Sequence, residues 1–327
     1  MTEVELQKKI NKIKDIVSGA TTFAVVGHTH PDGDCIGCCV AVAEILTNAG
    51  KTVSVFADGR ISEKFSYLPT TKQFNAAEPA DHYDVLFIVD LNETSRLGKW
   101  EFLTERADKI IVLDHHIKPT IKPTVLISMP ERASTGEIVF NCIELLGNKK
   151  LLTKTVAEAL YTSITCDTGC FLFANTTKYT HYVAERLMEF DIDIETINFK
   201  NFREYNRRFI PIVAYVLNTM KFEFGGRLAI SVLPFAKVQK WGLTHDERHS
   251  FFKYTTDGNG VVASIFITEL KKGEFNISLR SLGDINVSSI ARTFGGGGHK
   301  NASGATMVGK KKTILKQLLA EFAKVIK

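Results

Sequence analysis

Five short and nearly continuous apolar runs constrain the fold of the first half of this chain more than any other feature. They are rich in Val and Ile and lie at residues 23–26, 53–56, 85–89, 110–113 and 125–127. Runs that are nearly continuous, rather than alternating with polar residues, are typical of strands buried on both faces. The stretches between them are helical in pattern, so the sequence predicts an α/β fold with a mostly parallel sheet flanked by helices.

The pattern changes near residue 191, which indicates a second and smaller domain. Residues 191–209 are polar and charged and contain few turn residues, as expected for a connecting helix or linker. Beyond them, apolar segments typical of strands lie at residues 227–234, 261–270 and 275–280. The predicted organisation is a first domain at 1–190, a linker helix at 191–220 and a smaller α/β domain at 221–327.

Composition narrows the class of protein further. The chain has 327 residues, 44% hydrophobic and 24% charged, which excludes a disordered chain, a collagen and a coiled coil. No apolar run approaches the ~20 residues of a membrane span, and the N-terminus lacks the apolar core of a signal peptide. Six cysteines in a chain of this length do not form a disulfide framework, so a reducing, cytoplasmic location is expected. A net charge of +5 is too small to indicate affinity for long duplex DNA.

Candidate metal ligands follow the first predicted strand. His28 comes directly after the apolar run and a glycine, and Asp32 and Asp34 lie at the start of the next predicted helix. Carboxylate and imidazole together suit Mn²⁺ or another divalent ion of similar character. The alternative is that one aspartate only caps the helix while His28 occupies a turn.

More carboxylates and histidines end other predicted elements. Asp90 follows the third apolar run, Asp114, His115 and His116 follow the fourth, and Asp167 follows an apolar helical segment. Taken singly, Asp90 is better explained by a turn and Asp167 by a helix end, whereas two adjacent histidines directly after a strand are harder to explain as surface residues. Ligands in open α/β sheets bind at the carboxyl ends of the strands, so these groups are expected to converge there. So many carboxylates at one point would repel one another without cations, and paired divalent ions are usual for in-line displacement at phosphorus.

The order of these motifs resembles that of the DHH phosphoesterase superfamily. The resemblance rests on His-x-x-x-Asp-x-Asp at residues 28–34, the strand-terminal Asp90, Asp-His-His at 114–116 and Asp-Thr-Gly at 167–169. Residues 294–304, Phe-Gly-Gly-Gly-Gly-His-Lys-Asn-Ala-Ser-Gly, resemble the DHH-associated domain that accompanies it. The likeness is greatest to stand-alone members such as nanoRNases, pAp phosphatases and dinucleotide phosphodiesterases. It implies an active-site cleft between the two domains.

The resemblance implies a set of metal ligands. His28 and Asp32 are expected to hold one Mn²⁺, and Asp34, His115 and Asp167 are expected to hold a second. Asp90 would bridge the two ions. The resemblance leaves open Mg²⁺ or another divalent ion in place of Mn²⁺.

The resemblance also implies catalytic roles. His116 is expected to face the scissile phosphate as electrophile or general acid, and Asp114 is expected to orient a histidine. The nucleophile would be a water that bridges both cations and has a lowered pKa.

A glycine run and its basic neighbours are the candidate substrate-binding residues. Four consecutive glycines allow a backbone to approach an anion closely, and arginine suits planar recognition of phosphate. A flexible surface loop would explain the glycines equally well if the resemblance were set aside. The residues implied to bind substrate are Arg280, Arg292, Gly295, Gly296, Gly297, Gly298, His299 and Ser303.

Cysteines mark a departure from the family pattern. The family motif usually has Ser or Ala after Ile-Gly, whereas this chain has Cys38 and Cys39, and Cys35 adjoins Asp34. The Cys35-x-x-Cys38 spacing is that of a metal-binding pair. We favour the alternative that these are small buried side chains packing beneath the site, because free cysteine behaves as a small hydrophobic residue.

The expected function is Mn²⁺-dependent hydrolysis of short oligoribonucleotides and linear dinucleotides to mononucleotides, with dephosphorylation of pAp as a further activity. The expected partner is short RNA or a nucleotide, without a membrane, and a homodimer remains open. One alternative keeps the chemistry but takes a cyclic dinucleotide of the c-di-AMP type. Others are an inorganic polyphosphatase or pyrophosphatase with the same metal site, and a nucleotide-binding module without activity.

Overall fold

The chain divides into two compact units, Met1–Glu204 and Tyr205–Lys327. The computed structural model describes residues 1–91, 93–116, 120–204, 207–243, 254–256 and 258–326. The division falls inside the stretch for which a linker helix is predicted. Among the described residues, no helix is both long enough and apolar enough to cross a membrane.

The first unit is built on a five-stranded sheet in which all neighbouring strands are parallel. Its strands are β1 Thr22–Val26, β2 Thr52–Phe56, β3 Tyr83–Val89, β4 Ala107–Asp114 and β5 Val125–Ser128. Each of the five apolar runs forms one of these strands, so the predicted parallel sheet is confirmed. The spatial order is β2-β1-β3-β4-β5, and in this order the chain changes direction across the sheet between β1 and β3. Open sheets bind ligands at the carboxyl ends of such a pair of strands.

Alternate residues of each strand pack against two different layers. Phe87 and Val89 of β3 belong to a core shared with helices, whereas Leu86 and Ile88 face a core that includes Trp100 of a 3₁₀ segment, Thr94–Glu105. The helices of this unit are α1 Glu3–Gly19, α2 Gly33–Asn48, α3 Thr135–Leu146, α4 Lys154–Asp167, α5 Lys178–Met188 and α6 Ile194–Asn198. Shorter 3₁₀ segments lie at Glu63–Phe65, Pro69–Gln73 and Lys149–Leu151, and a π-helical turn lies at Phe199–Arg203.

Glycines bring α2, α3 and α4 unusually close together. A β-carbon at Gly37 of α2 would lie 2.4 Å from the carbonyl oxygen of Ala159 in α4. One at Gly136 of α3 would lie 2.0 Å from Oγ of Ser163 in α4. Any larger residue at either position would force the helices apart. This close packing places side chains of α4 against the first turns of α2 and α3.

The second unit has a six-stranded mixed sheet in the order β10-β11-β9-β8-β7-β6, in which only β7 and β8 are parallel neighbours. Its strands are β6 Lys221–Glu223, β7 Leu228–Leu233, β8 Ala263–Lys271, β9 Glu274–Ser281, β10 Gly297–His299 and β11 Ala302–Val308. Its described helices are α7 Phe209–Asn218, α8 Phe235–Trp241, α9 Val287–Thr293 and α10 Lys311–Phe322. The cores of the sheet are shared with α9 and α10 in one cluster and with α7 and α8 in another. The predicted α/β character of this unit is confirmed.

Candidate metal centre

The first group of candidate ligands gathers where β1 and β3 end. Nε2 of His28 lies 3.7 Å from Oδ1 of Asp32 and 3.4 Å from Oδ2 of Asp90. Nδ1 of His28 is 2.7 Å from the carbonyl oxygen of Thr29. A carbonyl only accepts, so this hydrogen bond requires a proton on Nδ1 and makes Nε2, which faces the carboxylates, the nitrogen that can bind a metal once it is deprotonated.

A second group has the same construction. Nε2 of His115 lies 3.2 Å from Oδ2 of Asp167 and 3.7 Å from Oδ2 of Asp34. Nδ1 of His115 faces the carbonyl oxygen of Arg132 at 3.3 Å, which again directs the lone pair of Nε2 inward. The ligand atoms of these three side chains lie within 4.8 Å of one another, as do those of the first group.

Asp90 lies beside both groups of candidate ligands. Its Oδ2 faces His28, whereas its Oδ1 lies 3.5 Å from Nε2 of His115. The residue is buried directly after β3 and has a left-handed backbone, with φ of 61°, which aspartate tolerates better than most residues. Oγ1 of Thr135 donates to Oδ1 at 3.0 Å and fixes the carboxyl group. One oxygen directed at each group is the arrangement that a shared ligand requires.

Asp34 is held by the first turn of α3. The backbone N–H groups of Thr135 and Gly136 donate to its two oxygens at 2.8 and 3.2 Å. The hydroxyl of Ser163 and the thiol of Cys38 donate to Oδ1 as well. A buried carboxylate is stabilised by N–H groups at a helix N-terminus, where the helix dipole favours negative charge. Asp34 is fully buried and therefore depends on these donors.

The motif analysis missed the residues that support Asp34 and Asp90. Thr135 is the most informative, because its backbone binds Asp34 while its hydroxyl binds Asp90. The available signal was the Ser134-x-x-Glu137 pattern, in which Ser134 Oγ accepts from the N–H of Glu137 at the start of α3. That pattern locates a helix start but does not show that its free N–H groups face a carboxylate.

The crowding of carboxylates changes their protonation. Burial and the charges of Asp34 and Asp90 raise the pKa of Asp167 to about 10, and burial with the charge of Asp34 raises the pKa of Asp90 well above its usual value. Burial lowers the pKa of His28, but the hydrogen bond and charge of Asp32 outweigh it and raise this pKa to about 9. The carboxylates therefore resist ionising together unless positive charge is supplied. This donor set fits divalent cations, while the number and identity of the ions stay a prediction.

His116 is oriented separately from the other two histidines. Its Nδ1 lies 2.7 Å from Oδ1 of Asp114, which is fully buried at the end of β4. Asp114 therefore contacts a histidine, as expected from the sequence, and that histidine is His116 rather than His115. His116 is partly exposed, and its Nδ1 lies 3.8 Å from Oδ1 of Asp90. Its catalytic role stays a prediction.

The cysteines of α2 are packing residues. Cys35, Cys38 and Cys39 are fully buried in the core of the first unit. Burial raises the pKa of the Cys35 and Cys38 thiols well above the usual value, so they remain protonated. Among the described residues, the groups of potential ligands that lie within reach of one ion contain no cysteine. The interpretation as small buried side chains therefore fits better than a zinc pair.

The glycine run is partly a helix end and partly an edge strand, rather than a loop. The N–H of Gly295 donates to the carbonyl of Arg292 at 3.1 Å, and that of Gly296 donates to the carbonyl of Ala291 at 2.9 Å. These two N–H groups are therefore committed to the end of α9. A β-carbon at Gly296 would lie 2.1 Å from the carbonyl oxygen of Gly304, so only glycine fits there. Gly297 and Gly298 form β10 with the following His299.

The remaining predicted substrate-binding residues lie on both faces of the second sheet. Arg280 is opposite Ala302, whereas Ser303 is opposite Leu279. Directly opposed residues share a face and neighbours alternate, so Ser303 lies on the buried face of Leu279 and Arg280 lies on the other. Arg292, at the end of α9, is exposed. The side chain of His299 lies outside the part of the chain that the structure describes. The substrate-binding roles stay predictions.

Two family models match successive parts of the chain. Residues 22–164 match the DHH family N-terminal domain, and residues 226–327 match the DHHA1 domain. The chain therefore contains a DHH domain followed by a DHHA1 domain. The phosphoester-hydrolysing class that the motifs predict is confirmed.

Named relatives and a solved structure span nearly the whole chain. The bifunctional oligoribonuclease and PAP phosphatase NrnA of Thermus thermophilus is 29% identical over 93% of this chain and 89% of that protein. The cyclic-di-AMP phosphodiesterase GdpP of Geobacillus thermodenitrificans is 26% identical over 94% of this chain, which spans only 48% of that protein. The crystal structure of an exopolyphosphatase-related protein from Bacteroides fragilis superposes with a TM-score of 0.90 at 26% identity, covering 98% of each chain.

Proposed function

We propose that this protein is a divalent-metal-dependent phosphodiesterase that hydrolyses short oligoribonucleotides and linear dinucleotides to mononucleotides, with removal of the 3′-phosphate of pAp as a second activity. The observation that carries the proposal is the pair of histidine–carboxylate groups that share Asp90. The likeness to an oligoribonuclease and PAP phosphatase over almost the full length supports the substrate class.

The proposed metal ligands follow the two groups. His28 and Asp32 would hold one Mn²⁺, Asp34, His115 and Asp167 would hold the other, and Asp90 would be shared by both. A divalent ion held there would supply a water of lowered pKa and positive charge for the phosphoryl oxygens. Mg²⁺ or another divalent ion fits the same oxygen and nitrogen ligands.

His116 is the proposed general acid. Its Nδ1–H donates to Asp114, so Nε2 is the atom that can carry a second proton towards the leaving oxygen. The buried carboxylate of Asp114 holds the imidazole ring in this orientation. His116 is partly exposed, as a group that meets substrate must be. Asp114 is a positioning residue in this scheme.

Short nucleotides suit the charge of the chain better than long ones. Affinity for long nucleic acids rests on many phosphate contacts, and a net charge of +5 spread over 327 residues does not provide them. In the second unit, Arg280, with exposed Arg292 and the glycine run, is proposed to bind the phosphate of a short substrate. All six cysteines are free, which fits the reducing cytoplasm proposed as its location.

A substrate panel tests the proposal. The metal-stripped protein is supplied with Mn²⁺ and offered diribonucleotides, longer RNA, single-stranded DNA, pAp, cyclic dinucleotides and polyphosphate. The expected result is fastest turnover of diribonucleotides, measurable release of phosphate from pAp, and no turnover before the metal is added. Absence of turnover on both diribonucleotides and pAp would overturn the proposal.

Two arms of the panel represent the competing functions. The likeness to a cyclic-di-AMP phosphodiesterase favours cyclic dinucleotides as an alternative substrate. The overall likeness to an exopolyphosphatase-related protein favours polyphosphate. A higher kcat/KM on either than on linear dinucleotides would replace the proposed substrate while leaving the metal site unchanged.

A further inference from the structure

The turn that follows Asp167 exposes two consecutive large apolar side chains. Leu172 is 84% exposed and Phe173 is 58% exposed. Single exposed apolar residues are common and need no explanation. A pair placed within six residues of a candidate metal ligand is different, because exposed apolar surface beside a site usually contacts a ligand.

The backbone that carries the pair is strained. Gly169, Cys170 and Phe171 have successive φ values of 56°, 58° and 67°. Left-handed conformations are costly for residues other than glycine, and for a bulky residue such as Phe171 they are true outliers. Such strain persists only where surrounding contacts enforce it, and it is concentrated at functional sites.

The surrounding contacts do enforce this turn. The carbonyl of Thr168 accepts from the N–H groups of both Leu172 and Phe173 at 2.9 Å, and its hydroxyl oxygen accepts from the N–H of Phe171 at 3.1 Å. Nδ2 of Asn175 donates to the carbonyl oxygen of Asp167 at 3.1 Å and to that of Ala133 at 3.2 Å. The turn is therefore fixed both to the end of α4 and to the segment before α3.

The three apolar side chains of the turn differ in their packing. Phe171 packs inward, with its ring 5.3 Å from that of His181 and 6.1 Å from that of Tyr161. Phe173 lies across Gly169, where a β-carbon would be 2.5 Å from its ring. Leu172 is more exposed than Phe173. The fold thus packs one partly buried apolar side chain against the core and holds the next two in place at the surface.

We propose that Leu172 and Phe173 form a base-binding surface, on which one nucleobase of the substrate packs while its phosphate faces Asp167 and the other candidate metal ligands. The inference rests on the proposed function. A rigid surface of two side chains has the size of one base rather than of a protein interface, which engages some 20–30 residues a side. Packing of this kind accepts any base, because every base offers the same kind of flat face.

Leu172→Ala is the main test, because its exposed side chain contributes little to the core. The expected result is a rise in KM for a diribonucleotide of about five- to tenfold, the effect of losing apolar contact equal to one or two buried CH₂ groups, with little change in kcat. For the matched substrate that lacks the base at one position, KM should not change. Phe173→Ala should act in the same way. Met188→Ala, an exposed apolar residue of α5 in the same unit, is the control and should change neither KM.

Binding without turnover supplies a second measurement. A dinucleotide with a non-hydrolysable phosphonate link and 2-aminopurine as one base should change in fluorescence when it binds the unmodified protein. In Leu172→Ala the same titration should show weaker binding and a smaller fluorescence change.

The outcomes separate the inference from the proposed function. Equal effects of Leu172→Ala on the complete and the base-lacking substrates would indicate a structural role and overturn the inference, as would no effect on either. If the unmodified protein hydrolysed no nucleotide at all, the proposed function would fail. The phosphonate titration would still decide whether these two side chains bind a base.

Discussion

The parallel sheet carries one cluster of histidine and carboxylate groups where its strands begin, the amino edge, and another where they end, the carboxyl edge. The two clusters have similar distances between their ligand atoms but differ in exposure and in hydrogen bonding. At the amino edge, His82, Asp84 and Asp108 have ligand atoms within 4.8 Å of one another, the same span as the groups at the carboxyl edge. His82 and Asp108 are 56% and 63% exposed, whereas His28 and Asp90 are 5% and 3% exposed. The distance between ligand atoms alone therefore does not distinguish a metal site.

The carboxylates of the two clusters differ in their hydrogen bonds and in the direction of their pKa shifts. Oδ2 of Asp84 accepts the N–H groups of Thr21 and Thr22 at 2.7 and 2.8 Å, and these hydrogen bonds lower the pKa of Asp84. Asp84 is thus a satisfied anion that links β3 to the start of β1. Asp90 and Asp167 are crowded instead, and their pKa values are raised. A buried cluster that is electrostatically incomplete without cations is the stronger candidate for a metal site.

Asp90→Asn should have the largest effect, because it removes the charge that both ligand groups share. We expect turnover of diribonucleotides to fall by more than about 10³-fold, since electrostatic stabilisation of the transition state usually contributes more to catalysis than any other effect. Metal titration by calorimetry should show loss of binding. The melting temperature of the metal-free protein should not fall, because the substitution relieves repulsion. If the variant bound two equivalents of Mn²⁺ as tightly as the unmodified protein, Asp90 would not be a shared ligand.

His116→Gln should have the next largest effect and should separate chemistry from metal binding. Turnover should fall by about 10²-fold, within the range for losing a positioned general acid. Metal affinity should be unchanged, because His116 faces Asp114 and is outside both proposed ligand groups. The measurement is kcat with saturating Mn²⁺ beside a metal titration, with His115→Gln as the comparison. A loss of metal from His116→Gln equal to that from His115→Gln would contradict this division of roles.

Most of the fold could be predicted from the sequence, because strands that are buried on both faces have a recognisable apolar sequence. A strand covered on both sides must be apolar at nearly every position, and the five runs meet that requirement, with Ser54 in the second run as the one polar residue. Several candidate ligands could also be predicted to lie together at the carboxyl edge, because they closely follow a predicted strand. His28, Asp90 and His115 are examples.

The contacts that support the ligands could not be predicted, because they join distant parts of the chain. Asp34 meets Ser163 and Gly136 only after α2, α3 and α4 have packed, and no local pattern encodes that approach. Adjacent histidines have the same sequence context, so the choice of His116 rather than His115 as the partner of Asp114 depends on how β4 ends. Four glycines have no periodicity, and the strand at Gly297–His299 depends on its pairing with β11.

The pH dependence of stability should separate the two edges in the metal-free protein. Asp167 keeps its proton to about pH 10 when folded and loses it near pH 4 when unfolded, so the stability it contributes is lost as pH rises through this window. His28 acts in the same direction up to about pH 9. We expect the melting temperature in EDTA to fall between about pH 5 and about pH 9. Saturating Mn²⁺ should remove or reverse the trend, because metal ligands bind deprotonated. A flat profile in EDTA would mean that the carboxylates are not crowded.

Asp84→Ala should have the smallest effect on function. The lost carboxylate leaves the N–H groups of Thr21 and Thr22 without this acceptor, so the melting temperature should fall. That loss should be nearly constant between about pH 5 and about pH 9, because a carboxyl whose pKa is lowered loses its stabilising contribution only in acid, as pH falls below about 4. Turnover and Mn²⁺ binding should match the unmodified protein, as measured on the same diribonucleotide and by the same titration. A loss of bound Mn²⁺ in Asp84→Ala without a change in the ligands at the carboxyl edge would show that the amino edge also holds metal.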